Sequence, residues 1–155
     1  MQTVEAIKTE FLATWDMVLD APIPIGHGPL GTRYIMRVTS GKIDGPRLKG
    51  ETMAMTGDWM LLRDDGVGEL DVRSSIKTDD GEFIYMHYHG LMHARPEIMQ
   101  AAFSGQEIAP TDLSFRMAAF FETGSAKYGW LTKILTVGNG QVGLPRLLAA
   151  LFVVT

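Results

Sequence analysis

The sequence contains no cysteine, has little net charge and has no long hydrophobic run, and each absence excludes a class of protein. Without cysteine, disulfide frameworks, thiolate nucleophiles and thiolate metal sites are excluded. The formal net charge is only −4, which disfavours nucleic acid and anionic membranes as partners because both are bound by basic patches. The most apolar segment, 147–154, is too short to cross a bilayer.

The first seventeen residues also lack the apolar run of a signal peptide, and acids at Glu5 and Glu10 interrupt them. We therefore expect no export signal and a cytoplasmic location. A length of 155 residues fits one domain, 1–155, which is large enough to bury a core without disulfides or metals.

Glycine and proline are frequent, and they separate short apolar segments along the whole chain. This spacing predicts an antiparallel β fold rather than alternating strands and helices. One short helix is predicted over 95–105, where Pro96 suits the first helical position and Gly105 the end. Many strands with one helix favour a closed barrel or a sandwich. The predicted strands cover 10–20, 32–38, 47–53, 58–63, 69–78, 82–89, 114–123, 131–137 and 142–155. Pro145 in the last of them indicates an edge, a bulge or a break.

Two turns share the sequence Asp-Asp-Gly, at 63–67 and 78–82. A glycine that can take positive φ after the aspartates is typical of a three-residue loop, a type I turn closed by a glycine bulge. This loop length sorts the side chains of the three-stranded meander into two faces. The apolar face contains Met60, Leu62, Leu70, Val72, Ser74, Ile76, Ile84, Met86 and Tyr88. The mixed face contains Trp59, Leu61, Glu69, Asp71, Arg73, Ser75, Lys77, Phe83, Tyr85, His87 and His89.

Two further glycine-containing segments are interpreted as turns. The segment 138–143 has the glycines of a phosphate loop without the lysine or helix, and it predicts a hairpin with Asn139 and Gly140 at its tip. Asp58 could be a buried acid, but a turn-capping aspartate after Gly57 explains it more simply.

Three of the four histidines lie within seven residues, which raises the question of a metal site. His87 and His89 fall on one side of a predicted strand, as in the first half of a cupin-type motif. The second half of that motif is missing, and His27 lies in a distant loop. Half-exposed histidines on a sheet face are therefore favoured over metal binding, and no metal is predicted.

The mixed face carries the elements of a proton-transfer site. In the predicted register Asp71 lies opposite His89, and Arg73 lies opposite His87. A carboxylate can orient an imidazole, a guanidinium can stabilise an oxyanion, and aromatic walls can stack on a flat substrate. If the apolar face fills a barrel lumen instead, the same residues lie outside as cross-strand pairs that contribute little. The candidate catalytic residues are Asp71, Arg73 and His87, and the candidate substrate-binding residues on this face are Trp59, Tyr85 and His89.

Three more residues are substrate-binding candidates with simpler alternatives. Glu122 could line a cavity mouth, although a strand-end glutamate beside a turn is commoner. Tyr128 and Trp130 could stack on a ligand, although large aromatics in an apolar segment more often belong to the core.

Eight strings of the sequence form a recognisable set when taken in order: GPLGTRY (28–34), GPRLKGE (45–51), GDW (57–59), RDDGVGELDVR (63–73), KTDDGEFIY (77–85), YHG (88–90), FFETG (120–124) and YGWL (128–131). Together they resemble the domain of unknown function 3237 family, also called uncharacterised protein family 0311. The resemblance covers nearly the whole chain. It implies a single-domain antiparallel β-barrel of calycin-like appearance, found in bacteria and fungi, and it brings no catalytic residues or cofactor with it.

These observations predict an all-β protein, a single antiparallel barrel of about eight to ten strands with one short helix. The favoured function is binding of a small apolar, aromatic or polycyclic molecule, with an isomerase-, lyase- or cyclase-type proton transfer that needs no cofactor. Two alternatives remain open: a non-catalytic carrier or sensor of an apolar ligand, and a homo-oligomer that uses the mixed face as its interface.

Overall fold

The computed structural model describes residues 4–155, and in that part of the chain eleven strands form one sheet beside a single α-helix. The helix is α1 (Pro96–Phe103), and Gly129–Lys133 forms a 3-10 turn. The strands are β1 (Thr9–Leu19), β2 (Ile23–Gly28), β3 (Gly31–Asp44), β4 (Lys49–Thr52), β5 (Gly57–Asp58), β6 (Leu61–Leu62), β7 (Gly68–Thr78), β8 (Phe83–Ala94), β9 (Leu113–Glu122), β10 (Thr136–Gly143) and β11 (Arg146–Val154).

The sheet closes into an antiparallel barrel, which confirms the predicted fold class. The order β1-β11-β10-β9-β8-β7-β4-β3 closes where β1 pairs with β3, giving eight wall positions. One position is an interrupted strand, because β4, β5 and β6 all lie between β3 and β7. β2 extends the line of β1 along β3.

Both Asp-Asp-Gly turns have the predicted three-residue form. The Arg63 amide donates to the Val67 carbonyl at 2.9 Å, and the Thr78 amide donates to the Glu82 carbonyl at 2.9 Å. Gly66 and Gly81 have φ of 87° and 90°, the left-handed conformation that glycine adopts without strain. The two faces of the meander are therefore as predicted, and the apolar face is the one that fills the barrel.

The short helix is also confirmed, and it closes one end of the barrel. Proline at its first turn and the left-handed Gly105 after its end are typical helix boundaries. Met99 and Ala102 are its buried residues. Because α1 connects the end of β8 to the start of β9, it lies at the end where β1 and β10 also finish.

The opposite end is closed by the 3-10 turn, where the sequence predicted a strand over 131–137. That prediction is wrong at its start, because Leu131 is fully buried as a plug of the barrel end. Strand β10 begins only at Thr136. An apolar run that caps a barrel and an apolar run within its wall have the same composition, and tertiary contacts decide between them.

The predicted hairpin tip at Asn139 and Gly140 is wrong as well, since both lie in the middle of β10. A Cβ on Gly140 would come within 2.4 Å of the Phe115 ring, so glycine here allows a buried ring to lie against the strand. The hairpin turns instead at Leu144 and Pro145, between β10 and β11. The predicted strand over 142–155 is accordingly broken at its proline.

The predicted strand over 58–63 is divided into β5 and β6, and β2 had no counterpart among the predicted strands. Within 4–155, no helix has the length and apolar character needed to cross a membrane. The segment interpreted as lacking an export signal, and the domain 1–155, both include residues 1–3, which lie outside the described residues.

Candidate functional site

The predicted cluster on the mixed face is assembled as expected from the register. Asp71 pairs with His89, and Arg73 pairs with His87, across β7 and β8. The Arg73 guanidinium lies 3.4 Å from the Asp71 carboxylate and 5.4 Å from the centre of the Trp59 ring. This face is the outside of the barrel, so the cluster forms an open, shallow groove. The groove is lined by Asp71, Arg73, Tyr85, His87, His89 and Glu122.

Within this outward groove the aromatic rings pack on one another. His87 stacks on Phe120 with ring centres 5.6 Å apart, and Tyr85 lies 5.8 Å from His87 on the same strand. His89 meets His87 edge-on at 6.1 Å. Nδ1 of His87 is buried without a hydrogen-bond partner. Among residues 4–155 no group of three or more histidine, aspartate or glutamate side chains is placed to hold a metal ion.

The other two predicted ligand-binding residues lie at the end closed by the 3-10 turn. Tyr128 is buried, and its hydroxyl donates to Oδ1 of Asp80 at 2.9 Å. Trp130 is half-buried, with the Arg47 guanidinium 4.2 Å from the centre of its ring. The structure thus brings Glu122 together with the histidines and places Tyr128 and Trp130 away from them.

A second site lies inside the barrel, at the end closed by α1. It is an apolar cavity of about 30 Å³. Four thioether side chains contribute to its wall, and they come from four different strand regions: Met17, Met36, Met60 and Met92. The remaining wall is formed by Leu19, Val38, Asp58, Leu70, Val72, Tyr88, Phe103, Phe115, Val142, Leu144 and Leu147.

Asp58 is the one carboxylate on this wall. It belongs to β5, the middle piece of the interrupted strand, and only 6% of it is exposed. Its Oδ1 accepts a hydrogen bond from the Asp71 amide at 3.0 Å. The carboxylate therefore takes the place of a backbone acceptor at a position where β5 and β6 do not pair continuously with β7.

The environment of Asp58 favours its neutral form. Burial among apolar side chains raises the pKa of Asp58 from the usual 3.8 to about 7, because desolvation penalises the charged carboxylate. The hydrogen bond from the Asp71 amide opposes this rise in pKa, as does the positive charge of Arg33, while the charge of Asp71 adds to it. A carboxyl group that titrates near neutral pH can both accept and donate a proton there.

Tyr88 lies on the same inner row as Asp58. Val72 pairs with Asp58 on one side and with Tyr88 on the other, so the two side chains are separated by one strand. Burial, and then the negative charge of Asp58, raise the pKa of Tyr88 well above its usual 10. The phenol therefore stays protonated and is available as a hydrogen-bond donor. Its ring also packs edge-on against Trp15, with centres 6.2 Å apart.

Sequence reasoning interpreted Asp58 as a turn cap and so missed its burial. One signal was present: the three-residue turn at 63–67 assigns Met60 to the apolar face, and period-two alternation extends that face back to residue 58. An acid at an inward position of an otherwise apolar face is a recognisable exception to the pattern.

The fold places the chain among closed antiparallel β-barrels with an apolar interior. The family described as protein of unknown function (DUF3237) matches residues 7–154. The chain belongs to this family, as its sequence strings indicated. A relative, the UPF0311 protein of Clostridium acetobutylicum, is 34% identical over 129 residues, which cover 83% of this chain and 82% of that protein.

Solved structures agree with this assignment. A β-barrel-like protein from Acinetobacter baumannii superimposes with a TM-score of 0.86 and 27% identity, covering 100% of both chains. A protein from Penicillium herquei described as an enzyme superimposes with a TM-score of 0.72 over 98% of each chain. It is 19% identical, so this likeness concerns the fold alone.

Proposed function

We propose that the protein binds a small, largely apolar aromatic or polycyclic molecule inside the α1 end of the barrel and that Asp58 moves a proton on it. The reaction is of the isomerase, lyase or cyclase type and needs no redox cofactor. The observation that supports this proposal best is a single carboxyl group on an otherwise apolar cavity wall, with its pKa raised to about 7. The distant fold neighbour described as an enzyme is consistent with catalysis on this scaffold.

The cavity wall supports an adaptable binding site. A volume of about 30 Å³ holds little more than water, whereas drug-sized ligands occupy about 300–1,000 Å³, so a substrate must displace wall side chains. Methionine side chains change shape at low energetic cost because they are unbranched and flexible. Met17, Met36, Met60 and Met92 are therefore suited to make room for a ring system.

Asp58 and Tyr88 supply complementary roles in such a site. The Asp58 carboxylate removes a proton from a carbon next to a carbonyl. The electron pair of that C–H bond forms the C=C bond of an enolate, and the π pair of the carbonyl moves to its oxygen. The Tyr88 phenol donates a hydrogen bond to the resulting enolate oxygen. The protonated Asp58 then returns its proton to another carbon in an isomerisation or to a departing oxygen in an elimination.

Solvent exchange of a model ketone tests this proposal. The probe is α-tetralone, a neutral bicyclic ketone with acidic protons next to its carbonyl, incubated with the protein in D₂O and followed by proton NMR. We expect catalysed deuterium incorporation whose rate rises with pH through an apparent pKa near 7, since the carboxylate is the active form. Asp58→Asn should abolish the catalysed rate, because the amide cannot accept the proton.

The outward groove is the second candidate site, with Asp71 and His87 as acid and base, Arg73 as oxyanion partner, and Trp59, Tyr85 and His89 as walls. The buried, unpartnered Nδ1 of His87 favours it. The same assay separates the two sites. Exchange that survives Asp58→Asn but is lost in His87→Gln would assign the chemistry to the outward groove, whereas binding without exchange in any variant would leave a carrier.

A further inference from the structure

Phe103, the last residue of α1, separates the internal cavity from a groove on the surface. Its ring forms part of the cavity wall and also part of the wall of a groove between α1 and the β3 and β6 region. On the groove side it packs against Tyr34, with ring centres 6.1 Å apart and planes inclined by 34°. One half-buried side chain is thus common to both spaces.

The helix that carries Phe103 is held at few places. It has eight residues, and its first turn has no side-chain cap. Its buried contacts come from Met99 and Ala102, and the Leu144 amide donates to the Ala102 carbonyl at 3.1 Å. Gly105 follows with φ of 83°, a conformation available to glycine. None of the residues of α1 takes part in a strand pairing, so a rotation of the Phe103 side chain breaks no hydrogen bond of the sheet.

The groove has the size and lining of a site for a small neutral molecule. Its volume is about 450 Å³, which lies within the range of ligand pockets. Tyr34, Leu62, Met99 and Phe103 provide an apolar floor, and no lysine or arginine is among the described residues that line either the groove or the cavity. The polar side chains on the groove are Asp65, Gln100 and Ser104. Asp65 is paired with the Arg63 guanidinium, so the described lining offers no unpaired cation to bind an anionic ligand, and a neutral ligand fits it better.

We propose that this groove is the entrance and first binding subsite for a neutral, apolar aromatic ligand, and that Phe103 is the gate through which the ligand passes into the cavity. This inference rests on the proposed function, because it assumes that the cavity receives a ligand. When the Phe103 ring turns away from Tyr34, the groove and the cavity become continuous. In the groove the polar edge of the ligand faces Gln100 and Ser104, and in the cavity its apolar part lies against the thioethers with its carbonyl towards Tyr88.

Entry kinetics test the gate without relying on catalysis. The probe is α-tetralone with protein labelled at the methionine methyl carbons, and NMR line shapes of Met60 and Met92 give the rates of entry and exit. Phe103→Ala should raise both rates about tenfold or more, because a gate contributes to the barrier in both directions. Phe103→Trp should lower both rates. Tyr34→Ala removes the ring on which Phe103 rests and should act like Phe103→Ala, while Tyr34→Phe keeps the ring and is the matched control.

Several outcomes would overturn the gate. Entry and exit rates that stay unchanged in Phe103→Ala and Tyr34→Ala would exclude it. Rates that rise in Val142→Ala instead would place the entrance at the other side of α1, since Val142 lines the cavity but not this groove. Equal affinity for α-tetralone and 1-naphthoic acid would contradict the neutral ligand class.

The two proposals fail in distinguishable ways. Normal entry kinetics without deuterium exchange would remove the catalytic role of Asp58 and leave the gate intact. Deuterium exchange that depends on Asp58, with entry rates independent of Phe103, would remove the gate alone. Absence of any shift at the cavity methionines would remove both.

Discussion

The two ends of the barrel are closed in different ways. At one end the 3-10 turn inserts the fully buried Leu131, and Tyr128 is fixed by its hydrogen bond to Asp80 in the β7–β8 turn. Lys127 pairs with the same carboxylate, and these contacts lower the pKa of Asp80, with the Lys127 hydrogen bond as the largest cause. At the other end α1 covers a cavity that contains a buried acid and four methionines.

We infer that the 3-10 end of the barrel contributes mainly to stability and that the α1 end can adapt its shape to a ligand. The 3-10 end is closed by the buried Leu131 and Tyr128, whereas the cavity at the α1 end has four flexible thioethers in its wall. A buried carboxyl group at the α1 end reduces stability, and such a cost is typical of sites kept for function. We therefore expect substitutions at the 3-10 end to affect folding and those at the α1 end to affect ligands.

The largest loss in the free energy of unfolding should come from Leu131→Ala. Truncating a fully buried leucine costs about 2–5 kcal/mol through lost burial and the cavity left behind. Urea unfolding should show this loss, while α-tetralone exchange per folded molecule stays close to that of the parent protein. The matched variant at the other end is Phe103→Ala, which should cost less stability because its ring is half-buried. A larger loss of stability in Phe103→Ala than in Leu131→Ala would contradict the proposed difference between the two ends.

A second effect concerns the pH dependence of stability. Folding raises the pKa of Asp58 from 3.8 to about 7, so between these values the folded state binds more protons than the unfolded state. The free energy of unfolding should therefore fall as pH rises from about 4 to 7, by at most about 4 kcal/mol. Asp58→Asn should remove this fall and make the protein more stable than the parent at pH 8.

Urea unfolding at pH 4, 6 and 8 measures this effect. Asp71→Asn is the control, since it alters a neighbouring carboxylate on the outside while keeping the backbone amide that Asp58 binds. Parallel stability profiles for the parent and Asp58→Asn would contradict the assigned environment of Asp58.

The smallest change in the free energy of unfolding is expected between the two ends of the barrel, at Trp15. Its Nε1 donates to Oγ1 of Thr52 at 2.8 Å, and its ring contacts Tyr88 of the cavity wall. Thr52→Val should cost about 1–2 kcal/mol because it leaves a buried donor without a partner. Thr52→Ser retains the acceptor and should cost less. Chemical denaturation followed by tryptophan fluorescence gives both values, and equal losses would show that the hydroxyl contributes nothing.

Local sequence rules predicted the parts of the fold that local geometry determines. The glycines at positions 66 and 81 specify the turn length, and the turn length determines that Arg73 lies opposite His87. The helix at Pro96–Phe103 follows from its proline and its apolar spacing. The same rules could not decide which face points inward, because closing the barrel depends on the pairing of β1 with β3, far apart in sequence.

The errors arose where a residue type has two physical uses. Gly140 allows close packing against Phe115 and does not form a turn. Leu131 lies in the 3-10 turn that closes the barrel end and not in a strand. Asp58 after a glycine matches a turn cap in sequence, yet its side chain replaces a backbone acceptor within a wall. For Gly140 and Leu131 the distinction depends on partners distant in sequence, which composition and periodicity do not contain. For Asp58 the period-two alternation indicates the inward position, and only the hydrogen-bond partner is missing from the sequence pattern.

The bond between the Asp71 amide and the Asp58 carboxylate has one more consequence. The Asp58 carboxylate accepts the hydrogen bond of one backbone amide of the sheet. A change in its protonation state, or its movement towards a bound molecule, therefore alters the strength of that hydrogen bond. That amide proton is therefore a natural spectroscopic reporter: its resonance frequency should follow the titration of the acid in the resting protein. The hydrogen bond that positions the Asp58 carboxylate thus also allows its charge to be followed by NMR at the Asp71 amide.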